Sequence, residues 1–141
     1  MTRQEIERLF ARREQALARH DIAGVSAIYS ADAVVESPTA GGPVRGRKEI
    51  ENVTRAWFTG FPDVVFETRT IAIDGELAVW IGEVRGTDTG GFMGLPPTNK
   101  PFRVPMVTLC TMKDGLIAHE RRIYDFTGML MQIGVLKAKP M

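Results

Sequence analysis

VVFETRTIAIDGELAVWIGEVRGTD, residues 64–88, is the first of two stretches that decide the fold, and FRVPMVTLCTMKDGLIAHERRIYD, residues 102–125, is the second. Each alternates between apolar and polar side chains and is divided by an Asp-Gly pair. Alternation with a period of two is typical of strands, and Asp-Gly between two such runs is typical of a tight hairpin turn. The pattern predicts four consecutive antiparallel strands: Val64–Ile73, Ala78–Thr87, Phe102–Met112 and Leu116–Asp125.

Helical spacing dominates the part of the chain before these strands. Thr2 is followed three residues later by Glu5, which predicts a capping box at the start of a first helix. Its apolar face continues to about Arg19 through five positions: Ile6, Leu9, Phe10, Arg13 and Leu17. Further elements are predicted from caps and periodicity: a helix at 22–29 capped by Asp21, a short strand at 33–37, a helix at 47–58 and a last helix at 126–134.

The order of helices first and strands later predicts an α+β class. At 141 residues with 44% hydrophobic composition, the chain is predicted to be a single domain, residues 1–141. We expect the sheet to curve around the N-terminal helices as a cone, because an antiparallel sheet buries one face against helices. The open end of such a cone is a natural pocket.

The charge pattern excludes two classes of partner. The net charge is +1, and lysines and arginines are mixed with acidic residues, which predicts no nucleic-acid or membrane partner. The charged N-terminus and the lack of a long apolar run predict a cytoplasmic protein. Cys110 is the only cysteine, and His20 and His119 lie far apart, so we expect neither a disulfide nor a metal site.

The second long strand has the pattern of a pocket wall. Its alternation groups Ala78, Trp80, Gly82, Val84, Gly86 and Asp88 on one side. We expect this side to face inward, because it is apolar, becomes glycine-rich and ends in a carboxylate. The alternative is that the glycines mark a strand exit and Asp88 is a solvated turn residue.

Asp125 is the leading catalytic candidate. It stands between Tyr124 and Phe126, where the last strand meets the last helix, and Asp is rare in a strand between apolar neighbours. A carboxylate kept from water must be paired or protonated. Asp125 therefore either caps the helix or does chemistry.

Six segments, in this order and spacing, resemble the SnoaL-like polyketide cyclases of the nuclear transport factor two-like, or cystatin-like, superfamily. They are Phe61–Asp63, Gly86–Gly90, Leu95–Lys100, Asp114–Ile117, Tyr124-Asp125 and Met131–Gly134. The resemblance extends from the first helix to Gly134. It implies a cone with an apolar pocket, usually dimeric or higher, and an intramolecular aldol ring closure without metal or cofactor.

The resemblance also implies site residues. Asp125 matches the family's acid/base aspartate, while Asp88 stands where the family commonly has a histidine. Two carboxylates facing one cavity would repel, so one would hold its proton to higher pH, which suits proton abstraction next to a carbonyl. The expected substrate-binding residues are Trp57, Trp80, Val84, Gly86, Met106 and Tyr124.

Other polar residues leave alternatives open. An arginine between two aspartates would resemble the limonene epoxide hydrolases of the same superfamily, with Arg103 and Arg121 as candidates. Strict alternation counted back from Asp125 sends Ile123, Arg121 and His119 inward, and a bulge would reverse this. His119 is expected more often at the surface, and Glu36 points either into the cone or into water.

Three functions therefore compete. The first is an enzyme that cyclises or isomerises an apolar carbonyl compound with Asp125 and Asp88. The second is a small-molecule binding protein with the same fold, and the third is a protein interaction module. Outward-facing Val79 and Ile81 indicate a homodimer across the sheet, because they would otherwise leave apolar surface exposed.

Overall fold

The computed structural model describes residues 1–39 and 41–137, which form an α+β fold with helices packed on one curved sheet. This confirms the predicted class. The helices are α1 Arg3–Ala18, α2 Ile22–Ser26, α3 Gly46–Gly60 and α4 Phe126–Gln132. The strands are β1 Tyr29–Glu36, β2 Val44–Arg45, β3 Val65–Asp74, β4 Leu77–Thr87, β5 Pro101–Lys113 and β6 Leu116–Tyr124.

Both predicted hairpins are present. β3 pairs antiparallel with β4, and β5 with β6. The second turn is Asp114-Gly115 as predicted, whereas Asp74 still pairs with Leu77, so the first turn is Gly75-Glu76. In the second turn Asp114 and Gly115 have φ angles of 53° and 82°. Two consecutive positive φ angles match the right-handed twist of the paired strands, which explains why Asp-Gly serves here.

The sheet is larger than the sequence pattern predicted. In the described residues its order is β2-β1-β6-β5-β4-β3, and β1 lies parallel to β6. The four predicted strands pair consecutively and antiparallel, as expected, but the pattern did not predict that β1 and β2 extend the sheet or that β1 lies parallel to β6. Parallel strands cannot be joined by a hairpin turn, so no local signal in the sequence predicts that β1 and β6 are neighbours. The chain between these two strands contains most of the fold.

The predicted caps hold the helices in place. The Thr2 hydroxyl accepts a hydrogen bond from Glu5 N at 3.1 Å, and the Glu5 carboxylate accepts one from Thr2 N at 2.8 Å. Asp21 caps α2 by accepting from Gly24 N at 3.0 Å. The buried face of α1 then lies against the concave side of the sheet, where Ile6 and Leu9 are fully buried.

A bulge decides which side chains of β6 face inward. One step along β5, from Thr111 to Met112, corresponds to two steps along β6, from His119 to Ile117. The inward residues beyond it are Glu120, Arg122 and Tyr124, whereas Arg121 and Ile123 are exposed. The alternation counted from Asp125 is wrong, because Asp125 lies outside the strand and is exposed, so the count starts on the outward side.

Aromatic rings fill much of the space between α3 and the sheet. The Trp57 ring lies 5.7 Å from those of Phe66 and Tyr124, and 5.8 Å from that of Phe61. Among the described residues, no helix is long and apolar enough to cross a lipid bilayer.

Candidate functional site

The candidate site is a cavity between α1 and the concave face of the sheet. It has two lobes, which share the side chains of Arg13, Leu17, Phe66 and Met106. Each lobe has a volume of about 20 Å³, enough for about one water molecule. A larger ligand therefore requires some of the four shared side chains to move.

The walls of the lobes are mostly apolar. The first lobe also contacts Glu14, Thr68, Trp80 and Thr108, and the Trp80 indole donates a hydrogen bond to Thr68 Oγ1 at 2.8 Å. The second lobe lies deeper against α2 and α3 and also contacts Thr54, Trp57, Phe58 and Arg122. Rings and a flexible thioether around a few polar groups are typical of small-molecule sites.

A buried charged cluster lies beside the cavity. Glu120, which is fully buried, accepts a hydrogen bond from Arg13 Nη2 at 2.8 Å and a short one from the Tyr29 hydroxyl. Arg122 Nη2 lies 3.4 Å from both Glu120 Oε1 and the Tyr29 hydroxyl. One carboxylate thus lies between two guanidinium groups, and both arginines line the second lobe.

The two arginines determine the ionisation of this cluster. Burial alone would raise the pKa of Glu120, but the charges of Arg122 and Arg13 and the Tyr29 hydrogen bond lower it to about 2. Burial would lower the pKa of both arginines, yet the negative charge of Glu120 raises it. The pKa of Tyr29 is raised, chiefly by burial. At neutral pH Glu120 and both arginines are charged, while Tyr29 is neutral.

Asp125 lies at the surface and is not among the residues that line either lobe. Its carboxylate accepts a hydrogen bond from Gly128 N at 2.8 Å and thereby caps α4. This is the cap that the sequence offered as the alternative to chemistry. Its role as acid/base stays a prediction.

Asp88 is buried, with 1% of its surface exposed, in the loop after β4. Its Oδ2 accepts hydrogen bonds from the Thr98 backbone at 3.1 Å and the Thr98 hydroxyl at 3.0 Å. Asp88 lines neither lobe of the cavity, and Asp125 lies at the surface. The structure therefore does not bring the two aspartates together in the cavity. The contacts tie the loop between β4 and β5 to the strand end, and a catalytic role stays a prediction.

Three of the six predicted substrate-binding residues line the cavity: Trp57, Trp80 and Met106. Val84 is fully buried in the core, and Gly86 borders a separate surface groove with Phe102 and Arg103. Tyr124 borders a shallow depression with Ser37, and its hydroxyl donates to Thr39 Oγ1 at 3.2 Å. The predicted set is therefore spread over four places: the cavity, the core, the groove and the depression.

The remaining polar candidates lie at the surface. In the described ranges neither Arg103 nor Arg121 forms an ion pair with an aspartate, so the epoxide-hydrolase arrangement is not formed by them; Arg103 lies 3.8 Å from Glu83. His119 and Glu36 contact each other at 2.8 Å, both about half exposed. His20 stacks on the Phe58 ring at 4.1 Å.

The sequence prediction missed Glu120 and Arg122 and did not recognise Arg13 as a site residue. One signal was visible: Arg13 interrupts the apolar face of α1, where a charged residue needs a buried partner. Its partner is 107 positions away, on β6. Glu120 stands among His119, Arg121 and Arg122, a run that by itself is typical of a solvated strand.

Comparison with known families and structures supports the fold. Residues 6–120 match the profile of the SnoaL-like domain. Comparison with curated proteins finds no match.

Solved structures of similar shape include IdmH from Streptomyces antibioticus, a candidate polyketide cyclase. It is 29% identical with a TM-score of 0.77, over 92% of this chain and 98% of that one. TsrD from Streptomyces laurentii is 20% identical with a TM-score of 0.85, over 96% and 99% of the two chains. A candidate SnoaL-like polyketide cyclase from Jannaschia sp. CCS1 is 20% identical with a TM-score of 0.84, over 95% and 94%.

Proposed function

The chain belongs to the SnoaL-like domain family, and on that premise we propose that it is a cofactor-independent enzyme that cyclises or isomerises an apolar carbonyl compound. The observation that carries the proposal is an apolar cavity with two guanidinium groups in its wall. The structural similarity to a candidate polyketide cyclase, IdmH, supports the same class of substrate.

The two arginines are suited to polarise a carbonyl. When a proton leaves the carbon next to a carbonyl, negative charge develops on the oxygen, and fixed cations close to that oxygen stabilise it. Arg13 and Arg122 are held in place by Glu120, so little reorganisation is needed when the charge appears. Glu120 itself contacts neither lobe and acts as a positioning residue.

A proton acceptor is also required. Among the described residues that line the two lobes, Glu14 is the one carboxylate, and it stands on α1 beside Arg13 at the solvent side of the first lobe. A carboxylate within reach of the substrate can take the proton. We assign this role to Glu14, with Asp125 and Asp88 as the alternatives that sequence resemblance supplies.

A second candidate function is small-molecule binding without catalysis. It is favoured by the surface position of Asp125 and the loop contacts of Asp88, which leave the cavity without the two residues that stand at the family's catalytic positions. Such a protein would use the same cavity and the same arginines to hold its ligand.

We further propose that the protein forms a homodimer through the outer face of the sheet. Ile81 and Ile123 expose 38% and 50% of their surfaces there. Burying these side chains against a second copy would remove apolar surface from water. Light scattering on the purified protein would give the dimer mass, whereas a monomer at all concentrations contradicts this proposal.

The test of the enzyme is proton exchange with a generic substrate. Phenylacetone, a small apolar ketone, is incubated with the protein in D₂O, and loss of its α-proton signals is followed by NMR. We expect exchange above the buffer rate, reduced at least about tenfold in Arg122→Met and in Glu14→Gln.

The matched control is Arg121→Met, which removes an exposed guanidinium one position away and should keep the rate. If phenylacetone binds but no exchange occurs, the binding protein is favoured over the enzyme. If Asp125→Asn abolishes exchange while Glu14→Gln does not, the proton acceptor is Asp125.

A further inference from the structure

We infer that the second lobe of the cavity is a subsite for a planar organic monoanion, a carboxylate or an enolate with an apolar body. The inference deepens the proposed function by giving its ligand a charge, and it rests on the small-molecule site, not on catalysis.

The charges of the cluster do not balance. Arg13 and Arg122 contribute two positive charges, Glu120 contributes one negative charge, and Tyr29 is neutral. Within residues 1–39 and 41–137 the ion pairs of both arginines are made with Glu120 alone. One positive charge in excess therefore remains in a region where 11% of the Arg13 side chain and 6% of the Arg122 side chain are exposed. An uncompensated charge removed from water is strongly unfavourable, and a bound anion would relieve it.

Hydrogen-bond donors are available for that anion. In the described part of the chain, the Nε atoms of Arg13 and Arg122 are buried and make no hydrogen bond. Arg122 Nε lies 3.4 Å from Glu120 Oε2, without the geometry of a hydrogen bond. Buried guanidinium donors are nearly always satisfied. Both atoms belong to residues that line the second lobe, so an anion that enters it as the surrounding side chains move gains two donors that the protein itself leaves unpaired.

The rest of the lobe selects the body of the ligand. Apart from Thr54 and the two arginines, its wall is formed by apolar side chains, among them Trp57, Phe58 and Met106. The excess positive charge of the two arginines repels an ammonium, and the apolar wall offers few hydrogen-bond partners for a sugar. A delocalised carboxylate or enolate matches the planar donors of a guanidinium, and its hydrocarbon part matches the wall.

Paired probes that differ in charge test the inference. Benzoate and benzamide have nearly the same shape, so the difference in their affinities reports the charge. Binding to the full chain is followed by titration calorimetry and by the fluorescence of Trp57 and Trp80, which line the cavity. We expect benzoate to bind at least about tenfold more tightly than benzamide. The enolate of benzoylacetone, titrated in the same way, distinguishes an enolate ligand from a carboxylate.

Variants locate the charge preference. Arg122→Met is expected to remove it, Arg122→Lys to restore part of it, and exposed Arg121→Met to leave it unchanged. If Arg122→Met does not fold, Arg13→Met carries the same expectation. Equal affinity for benzoate and benzamide, no binding of either anion at millimolar concentration, or an equal loss in Arg121→Met would each overturn the inference.

The outcome is separable from that of the proposed enzyme. Benzoate binding that depends on Arg122, combined with no exchange of phenylacetone protons, keeps the anion subsite and removes the catalytic function. Proton exchange of phenylacetone combined with equal affinities for benzoate and benzamide would support the proposed enzyme and contradict the anion subsite.

Discussion

Arg13 on α1 and Glu120 on β6 are joined by a hydrogen bond of 2.8 Å across 107 positions of sequence. The contact ties the first helix to the strand that runs through the middle of the sheet. It also fixes one side chain in the cavity wall, because Arg13 lines both lobes. The Arg13–Glu120 pair therefore both holds α1 on the sheet and positions a guanidinium group in the cavity wall.

Replacing the carboxylate tests the structural part of that connection. Glu120→Gln leaves two buried guanidinium groups without a counter-charge, and we expect a loss of about 3–5 kcal/mol in the free energy of unfolding. Urea denaturation followed by circular dichroism measures it. The control is Glu83→Gln, whose arginine partners are more than half exposed and which should lose less than about 1 kcal/mol. Equal losses in the two variants would contradict a special role for Glu120.

The ionisation of Glu120 predicts a pH dependence of stability. Its pKa falls from about 4.5 in the unfolded chain to about 2 in the folded one, so the folded state favours the ionised form. The resulting stability, roughly 3 kcal/mol, is fully present above pH 4.5 and is lost as the pH falls toward 2. Urea midpoints of the wild type should fall through this window. In Glu120→Gln this part of the acid dependence should be absent.

Asp125 can be tested as a cap and as an acid/base in one pair of variants. Asp125→Ala removes the acceptor for Gly128 N and should lower the free energy of unfolding by about 1 kcal/mol, whereas Asp125→Asn keeps a good N-cap. We expect both variants to keep the proton exchange of phenylacetone. A folded Asp125→Asn protein without exchange would show that the predicted catalytic role is right.

Met106 is one of the four side chains that line both lobes, and truncating it should enlarge and join them. Met106→Ala is expected to lose about 2–5 kcal/mol in the free energy of unfolding and to bind a larger apolar ligand such as indole. Met112→Ala is the matched control, because it is equally buried but lines neither lobe. Met112→Ala should lose a similar amount of stability without binding indole. Indole binding to both variants would contradict the expectation that the new binding site is the enlarged cavity.

Cys110 is predicted to be unreactive in the native protein. The side chain is fully buried, and burial raises the pKa of its thiol to about 12, so the reactive thiolate is scarce. A thiol reagent should label it at the rate of unfolding, and at once in denaturant. Fast labelling without denaturant would show that β5 opens locally.

The sequence was informative where a signal is local. The Asp-Gly pair at 114–115 predicted its hairpin because positive φ angles are needed at both positions, and Thr2 and Asp21 predicted caps because their side chains reach backbone groups three residues away. The resemblance of six segments to the SnoaL-like cyclases predicted the family. The inward side of β4 was also predicted, and its even-numbered residues from Ala78 to Gly86 are buried.

The candidate site was predicted only in part, since Trp57, Trp80 and Met106 line the cavity whereas Val84, Gly86 and Tyr124 lie elsewhere. A bulge in β6 placed Glu120 and Arg122 inward and Arg121 outward. No composition or spacing signals a one-residue bulge with certainty, yet it moves every following side chain to the other face of the sheet.

By itself the sequence determined the α+β class, the hairpins, the helix caps and the family, because each depends on residues close together in the chain or on a pattern spread along it. Tertiary structure alone decided which charges meet. Arg13, Tyr29, Glu120 and Arg122 come from one helix and two strands, and they share a site only once β1 lies parallel to β6 and α1 crosses the sheet. Burial strengthens the electrostatic interactions among these groups, because a carboxylate that would be solvated in the unfolded chain becomes the fixed partner of two arginines.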